Sequence, residues 1–186
     1  RAIGQRNVPN ATWIDALGEA TGLDDSSVEA VTSTFGSMFC DPTTGPAEWA
    51  RILRPGGELV MTAWNQEGFL ATMTDAMMES VNPGGSKQTP PHMAWGITEV
   101  AHERLSQWFE SIHIENRELE WTFDSVEDGM QLYREGSPTH VWMADHAGSR
   151  REALWAALRD HLKAHADTSG RIESTTGYVL ITARRR

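Results

Sequence analysis

A single cysteine, Cys40, stands in 186 residues. A lone thiol excludes an internal disulfide and suits a reducing compartment, so a cytoplasmic protein is expected. No run of eighteen apolar residues and no signal-peptide pattern occurs, so nothing is expected to span or cross a membrane. Basic charge is scarce: 16 Lys and Arg face 26 Asp and Glu, a formal charge of -10. Phosphate neutralisation needs a basic face, so no nucleic-acid partner is expected. Arg184-Arg185-Arg186 reads as a solvated terminus. No G-x-S-x-G elbow supports a serine hydrolase. His161 and His165 are four apart but lack a third ligand, and there is no H-E-x-x-H, so no metal site is expected. No histidine near Cys40 would make it a thiolate nucleophile, and it reads as inert.

What is present is a strand–helix–strand pattern. Val28, Ala30, Val31 and Thr32 form a short β-favouring run. Pro46 to Leu53 carries Ala47, Trp49, Ala50 and Leu53 at helical spacing. Pro55-Gly56-Gly57 predicts a tight turn that stops the helix, and Leu59 to Trp64 a buried strand. Two strands joined by a crossover helix pair in parallel, which makes the fold class α/β. In such sheets ligands collect beyond the carboxyl ends of the strands, here Thr34-Phe35-Gly36 and Trp64-Asn65.

Flanking elements follow from the same patterns. Ala11 to Asp15 is expected as a short strand and Leu17 to Ser27 as an acidic loop. Phe69, Leu70, Met73, Met77 and Val81 predict a helix over Gly68 to Val81, followed by a Pro/Gly-rich loop to Gly96. A helix from Thr98 to Phe109 turns Val100, Leu105 and Trp108 inward. Ile112 to Phe123 alternates as a strand, and Tyr178 to Ala183 closes the sheet. Ser125 with Asp128, and Ser149 with Glu152, read as capping boxes opening two helices.

Arg51-Ile52-Leu53-Arg54-Pro55-Gly56-Gly57-Glu58-Leu59-Val60 resembles the R-V-L-(R/K)-P-G-G-x-L-V turn before the fifth strand of class I S-adenosylmethionine-dependent methyltransferases. Asp15-Ala16 and Leu23 to Val31 resemble the family's D-A … L-P-F-x-D-x-S-F-D-x-V, closest to small-molecule enzymes of the ubiquinone-biosynthesis type. The match departs at Thr21-Gly22-Leu23, at Val28 and at Glu29, which reads as a hydrogen-bonded structural carboxylate. The family's glycine-rich G-x-G-x-G loop and the acid ending its second strand have no counterpart. The resemblance therefore implies a single incomplete, Rossmann-like domain over residues 1–186, N-terminally truncated, without the first two strands. Its sheet is mostly parallel, with helices on both faces and an antiparallel final strand between the fifth and sixth. Residues 66–110 and 124–150 would form the substrate cover.

The resemblance also implies a cofactor, S-adenosylmethionine, and a small-molecule acceptor. Asp15 and Ala16 match the segment that meets the adenine amino group, the alternative being that Asp15 caps a turn. Ser33, Thr34 and Phe35 join them as cofactor-binding residues, with Gly36 at the methyl and acceptor side; the alternative is a plain strand-to-helix turn. Trp64, Trp95 and Trp142 are expected to contact acceptor, and His92 to serve as general base. Met73, Met77 and Trp108 read as core. A non-catalytic α/β remnant, or a subunit completed by another chain, is the second reading. Its bare strand edge would favour a homodimer.

Overall fold

A computed structural model describes residues 2–85 and 90–186; the part of the expected Pro/Gly-rich loop at 86–89 lies outside them. Helix α1 (Ala2–Asn7) precedes an exposed irregular stretch that leads to strand β1 (Val28–Thr34). Helix α2 (Thr44–Ile52) then feeds strand β2 (Leu53–Glu67). Helices α3 (Gly68–Val81) and α4 (Thr98–Ser106) come next, followed by strand β3 (Phe109–Phe123). Helices α5 (Val126–Gln131), α6 (Pro138–His146) and α7 (Arg151–Ala164) lead to the closing strand β4 (Ile172–Arg185). The sheet order is β1-β2-β4-β3, mostly parallel, with the last strand antiparallel and inserted between its predecessors. Among the described residues no helix is long and apolar enough to cross a membrane.

The central expectation is met. β1 pairs with β2 in parallel, Val31 opposite Leu59 and Thr34 opposite Thr62. The Pro-Gly-Gly turn falls inside this pairing instead of ahead of it. Val28 faces Leu53 while Ala30 faces Glu58, two steps along β1 against five along β2. Gly56 supplies the left-handed backbone this bulge needs, at φ 76°.

The chain folds as two compact units. The first comprises Arg1–Ala63, Thr98–Glu115 and Leu180–Arg186; the second comprises Trp64–Ile97 and Asn116–Val179. Segment 124–150, expected as substrate cover, lies wholly in the second unit, and 66–110 is divided between the two. In the first unit Leu59, Met61 and Ala63 are fully buried, alternating with half-buried Val60 and Thr62. Leu53, Leu105, Phe109 and Ile181 complete its core. The second unit is built on α3 and α7, around Phe69, Met73, Met77, Trp155, Leu158 and Leu162.

Several local expectations change. Residues 11–15 join no ladder and stay exposed, because the described sheet offers them no neighbouring strand. Trp108 is 36% exposed, since α4 ends at Ser106 and leaves it in the turn beyond. Ser125 caps α5, its Oγ accepting from the Asp128 N–H at 3.1 Å. Ser149 caps nothing: a short 3₁₀ turn over Gly148–Arg150 places Arg150 at the cap of α7. The arginine terminus is also tied down. Arg184 pairs with Glu58 at 3.0 Å, Arg185 donates to the Ser26 hydroxyl and the Leu53 carbonyl, and Arg186 donates to the Phe109 carbonyl.

Candidate functional site

In the first unit the carboxyl end of β1 turns at Phe35, which holds φ 57°, a left-handed value that a bulky side chain rarely adopts. Two hydrogen bonds fix the turn. The Phe35 N–H donates to Thr62 Oγ1 of β2 at 3.1 Å, and the Ser37 N–H donates to Ser33 Oγ at 2.8 Å. Ser33 and Phe35 are half-buried and Thr34 is exposed, so all three sit at an accessible sheet end. Gly36 has ordinary right-handed backbone, and a methyl group there would meet Ser33 Oγ at 3.4 Å, so neither strain nor crowding demands glycine. Asp15 and Ala16 lie on the exposed chain before β1.

The loop leading into β1 is anchored from α2. Arg51 donates to both Glu48 oxygens at 2.7 and 2.9 Å, to Asp25 at 2.5 Å and to the Leu23 carbonyl at 2.7 Å. Thr21 adds two donors to Glu48, at 2.8 and 2.6 Å. With the Arg51 guanidinium beside it, the Glu48 carboxyl is held down at about 2. Trp49 Nε1 donates to the Gly18 carbonyl at 2.9 Å. Arg51 therefore ties the acidic loop to α2. Burial, with a hydrogen bond to Glu19, pushes the Cys40 thiol up to about 11, so it stays protonated.

In the second unit β2 emerges at Trp64 and Asn65. Gly96 lies so close that a methyl group on it would stand 2.2 Å from the Trp64 carbonyl oxygen, so only glycine fits there. Trp64 enters an aromatic cluster that sequence reasoning missed. Its ring is 6.4 Å from Trp121, which stacks on Phe123 at 6.0 Å and on Tyr133 at 6.4 Å. Tyr133 rises from a π-helical turn, Leu132–Gly136, a geometry that is rare and frequent at functional sites. His140 on α6 meets the Tyr133 ring edge-on at 4.7 Å, and its Nδ1 lies 2.7 Å from Ser137 Oγ. Burial pushes the His140 imidazole down to about 4 and the Tyr133 phenol well above its ordinary range. Ser137-Pro138, a helix-opening pair, was the overlooked sign of α6.

The other expected positions do not join this cluster. Trp95 is fully buried in a 3₁₀ turn, Met93–Gly96, so it serves as core. Trp142 is 60% exposed and stacks on His146 at 4.1 Å. His92 is half-buried, and burial lowers its pKa.

Residues 1–61 match the family model of a methyltransferase domain. An uncharacterized protein of Mycobacterium tuberculosis is 32% identical over 83 residues, 44% of this chain; the match spans only 30% of that relative's length. The YcgJ protein of Bacillus subtilis shares the fold with a TM-score of 0.54 at 13% identity, over 100% of this chain and 75% of that one. A candidate methyltransferase from Bacillus halodurans gives 0.51 at 12% identity, over 95% of this chain and 78% of that one. The chain carries the class I S-adenosylmethionine-dependent methyltransferase fold. Within this methyltransferase fold the family match ends at Met61, inside β2, so it takes in β1, α2 and the strained Phe35 turn.

Proposed function

We propose that the domain moves a methyl group from S-adenosylmethionine to a small-molecule acceptor, with the adenosine side of the cofactor held by the first unit. The backbone of Phe35 carries this reading. A left-handed bulky residue costs about 1–3 kcal/mol, and such strain concentrates where a strand end is shaped for a ligand. Ser33, Thr34 and Phe35 offer hydroxyls and an aromatic face there, and Asp15 with Ala16 precedes them on exposed chain. These fit the adenine side of the cofactor. The ribose side is different, because the 186 residues hold no glycine-rich loop or strand-ending acid for it.

S-adenosylmethionine supplies an electrophilic methyl group, so the protein's share is positioning, exclusion of water and removal of the acceptor's proton. His92 is the base in this reading: half-buried and with a lowered pKa, it is neutral near pH 7 and able to take that proton. Trp64, at the exit of β2, is the residue this reading assigns to contact with the acceptor.

Thermal unfolding with and without S-adenosylhomocysteine tests the reading. At a hundred times its dissociation constant the ligand should stabilise the protein by about 2.7 kcal/mol, a shift of several degrees. Phe35→Ala should remove most of that shift. A melting point unmoved by the ligand would overturn cofactor binding by these residues.

A second reading rests on β1 itself. It is an edge strand of the described sheet, and most of its residues are exposed or half-exposed. An open edge of this kind pairs readily with another strand. A domain whose cofactor site is completed by a second polypeptide, or a homodimer joined through β1, follows from it. Sedimentation equilibrium would show concentration-dependent association, abolished by proline at Thr32.

A further inference from the structure

A cleft of about 320 Å³ opens in the second unit, lined by Arg134, Arg151, Glu152 and Trp155. Its volume lies at the small end of ligand sites. Arg134 rises from the π-helical turn Leu132–Gly136, and its guanidinium stands 5.3 Å from the centroid of the buried Trp155 ring. That contact holds the cation in place without using any of its five N–H donors. We infer that this cleft binds a free α-amino acid in its zwitterionic form.

The arrangement of charge narrows the ligand. Elsewhere in the chain opposite charges close onto each other: Arg54 on Glu29, Arg159 on Glu127, and Arg171 on Asp124 and Glu173. Around the cleft they stand apart. Among the described residues the Arg134 guanidinium and the Glu152 carboxylate make no hydrogen bond or ion pair, with each other or with any other group. Arg151 spends only Nη1, on Asp145 at 2.8 Å. A ligand with a carboxylate at one end and an ammonium at the other spans such a gap. Its carboxylate accepts charge-assisted hydrogen bonds from the guanidiniums, and its ammonium donates to Glu152. The formal charges of Arg134, Arg151, Glu152 and Asp145 cancel, which matches a ligand of no net charge. A phosphate would set its second negative charge against Glu152. The indole and the arginine stems give an apolar wall for the ligand's side chain.

Amino-acid binding here is independent of methyl transfer, so its test omits the cofactor. The full chain is titrated calorimetrically with L-phenylalanine, with 3-phenylpropionate as the match that lacks the ammonium and phenethylamine as the match that lacks the carboxylate. L-Phenylalanine should bind about tenfold more tightly than either. Arg134→Met, which keeps an apolar stem over Trp155, should weaken L-phenylalanine about tenfold. Glu152→Gln should weaken L-phenylalanine by a similar factor while 3-phenylpropionate binds no less tightly than before, a split that misfolding does not produce. L-Phenylalanine that fails to bind, three probes that bind equally, or an Arg134→Met variant that binds L-phenylalanine as the native protein does would each overturn the site.

Discussion

The two units are stabilised by different means. In the first, a partly exposed loop is fastened to α2 by Arg51, Glu48 and Thr21, and its core is mainly aliphatic side chains along β2 and α4. In the second, stability comes from large aromatic and methionine side chains on α3, α5, α7 and β3, with histidines against their rings. Charge-assisted hydrogen bonds hold a backbone in one conformation. Aromatic and methionine packing fills volume and tolerates an adaptable surface. The unit carrying the strained strand end is therefore the one with the fixed loop, and the other is the one with the adaptable core.

Deleting packing should be the sharpest way to separate them. Phe69, 2% exposed and touching the rings of Phe123, His161 and His165, anchors the second unit. Phe69→Ala should cost about 3–5 kcal/mol in urea unfolding, with amide signals of residues 116–179 losing exchange protection first. In the first unit Arg51→Met removes four hydrogen bonds but leaves the aliphatic stem. With the guanidinium partly exposed, the loss should be smaller than that of Phe69→Ala, read from the same midpoint and from increased exchange at residues 21–27.

Acid should act on the two units in successive windows. Burial holds both His140 and His161 down at about 4, with the charge of His165 adding to the effect on His161. Unfolded imidazoles titrate near 6.5, so between those values the unfolded chain binds more protons. The second unit is thus most stable above pH 6.5 and weakens as pH falls toward 4. Glu48, held at about 2 against an ordinary 4.5, contributes fully above 4.5 and loses its contribution as pH falls toward 2. Urea midpoints from pH 8 to 2.5 should show both windows, His140→Phe flattening the upper and Glu48→Gln the lower.

Local patterns made much of the scaffold legible. The five apolar residues from Phe69 to Val81 fixed α3 to the residue, and the turn glycines marked the passage from α2 to β2. The Ser125 cap was readable because its partner lies three residues on. Ala11 to Asp15 looked like a strand because its residue types suit one, yet a strand needs a neighbour that composition does not reveal. Trp95 seemed part of a lid because its loop is rich in proline and glycine, but packing buries it completely. The aromatic cluster was illegible for a plain reason: Trp64, Trp121, Tyr133 and His140 come from four separate segments, and no spacing along the chain brings them together.

By itself the sequence determined the parallel β1–β2 pair, the crossover helix between them and the turn that shapes their entry, since each depends on neighbours a few residues apart. Only the tertiary structure decided that Arg51 clamps a loop, that the arginine terminus is tied down, and that Trp121 and Tyr133 stack in one aromatic cluster. Such contacts join residues dozens of positions apart, and what decides them is which surfaces the folded chain removes from water.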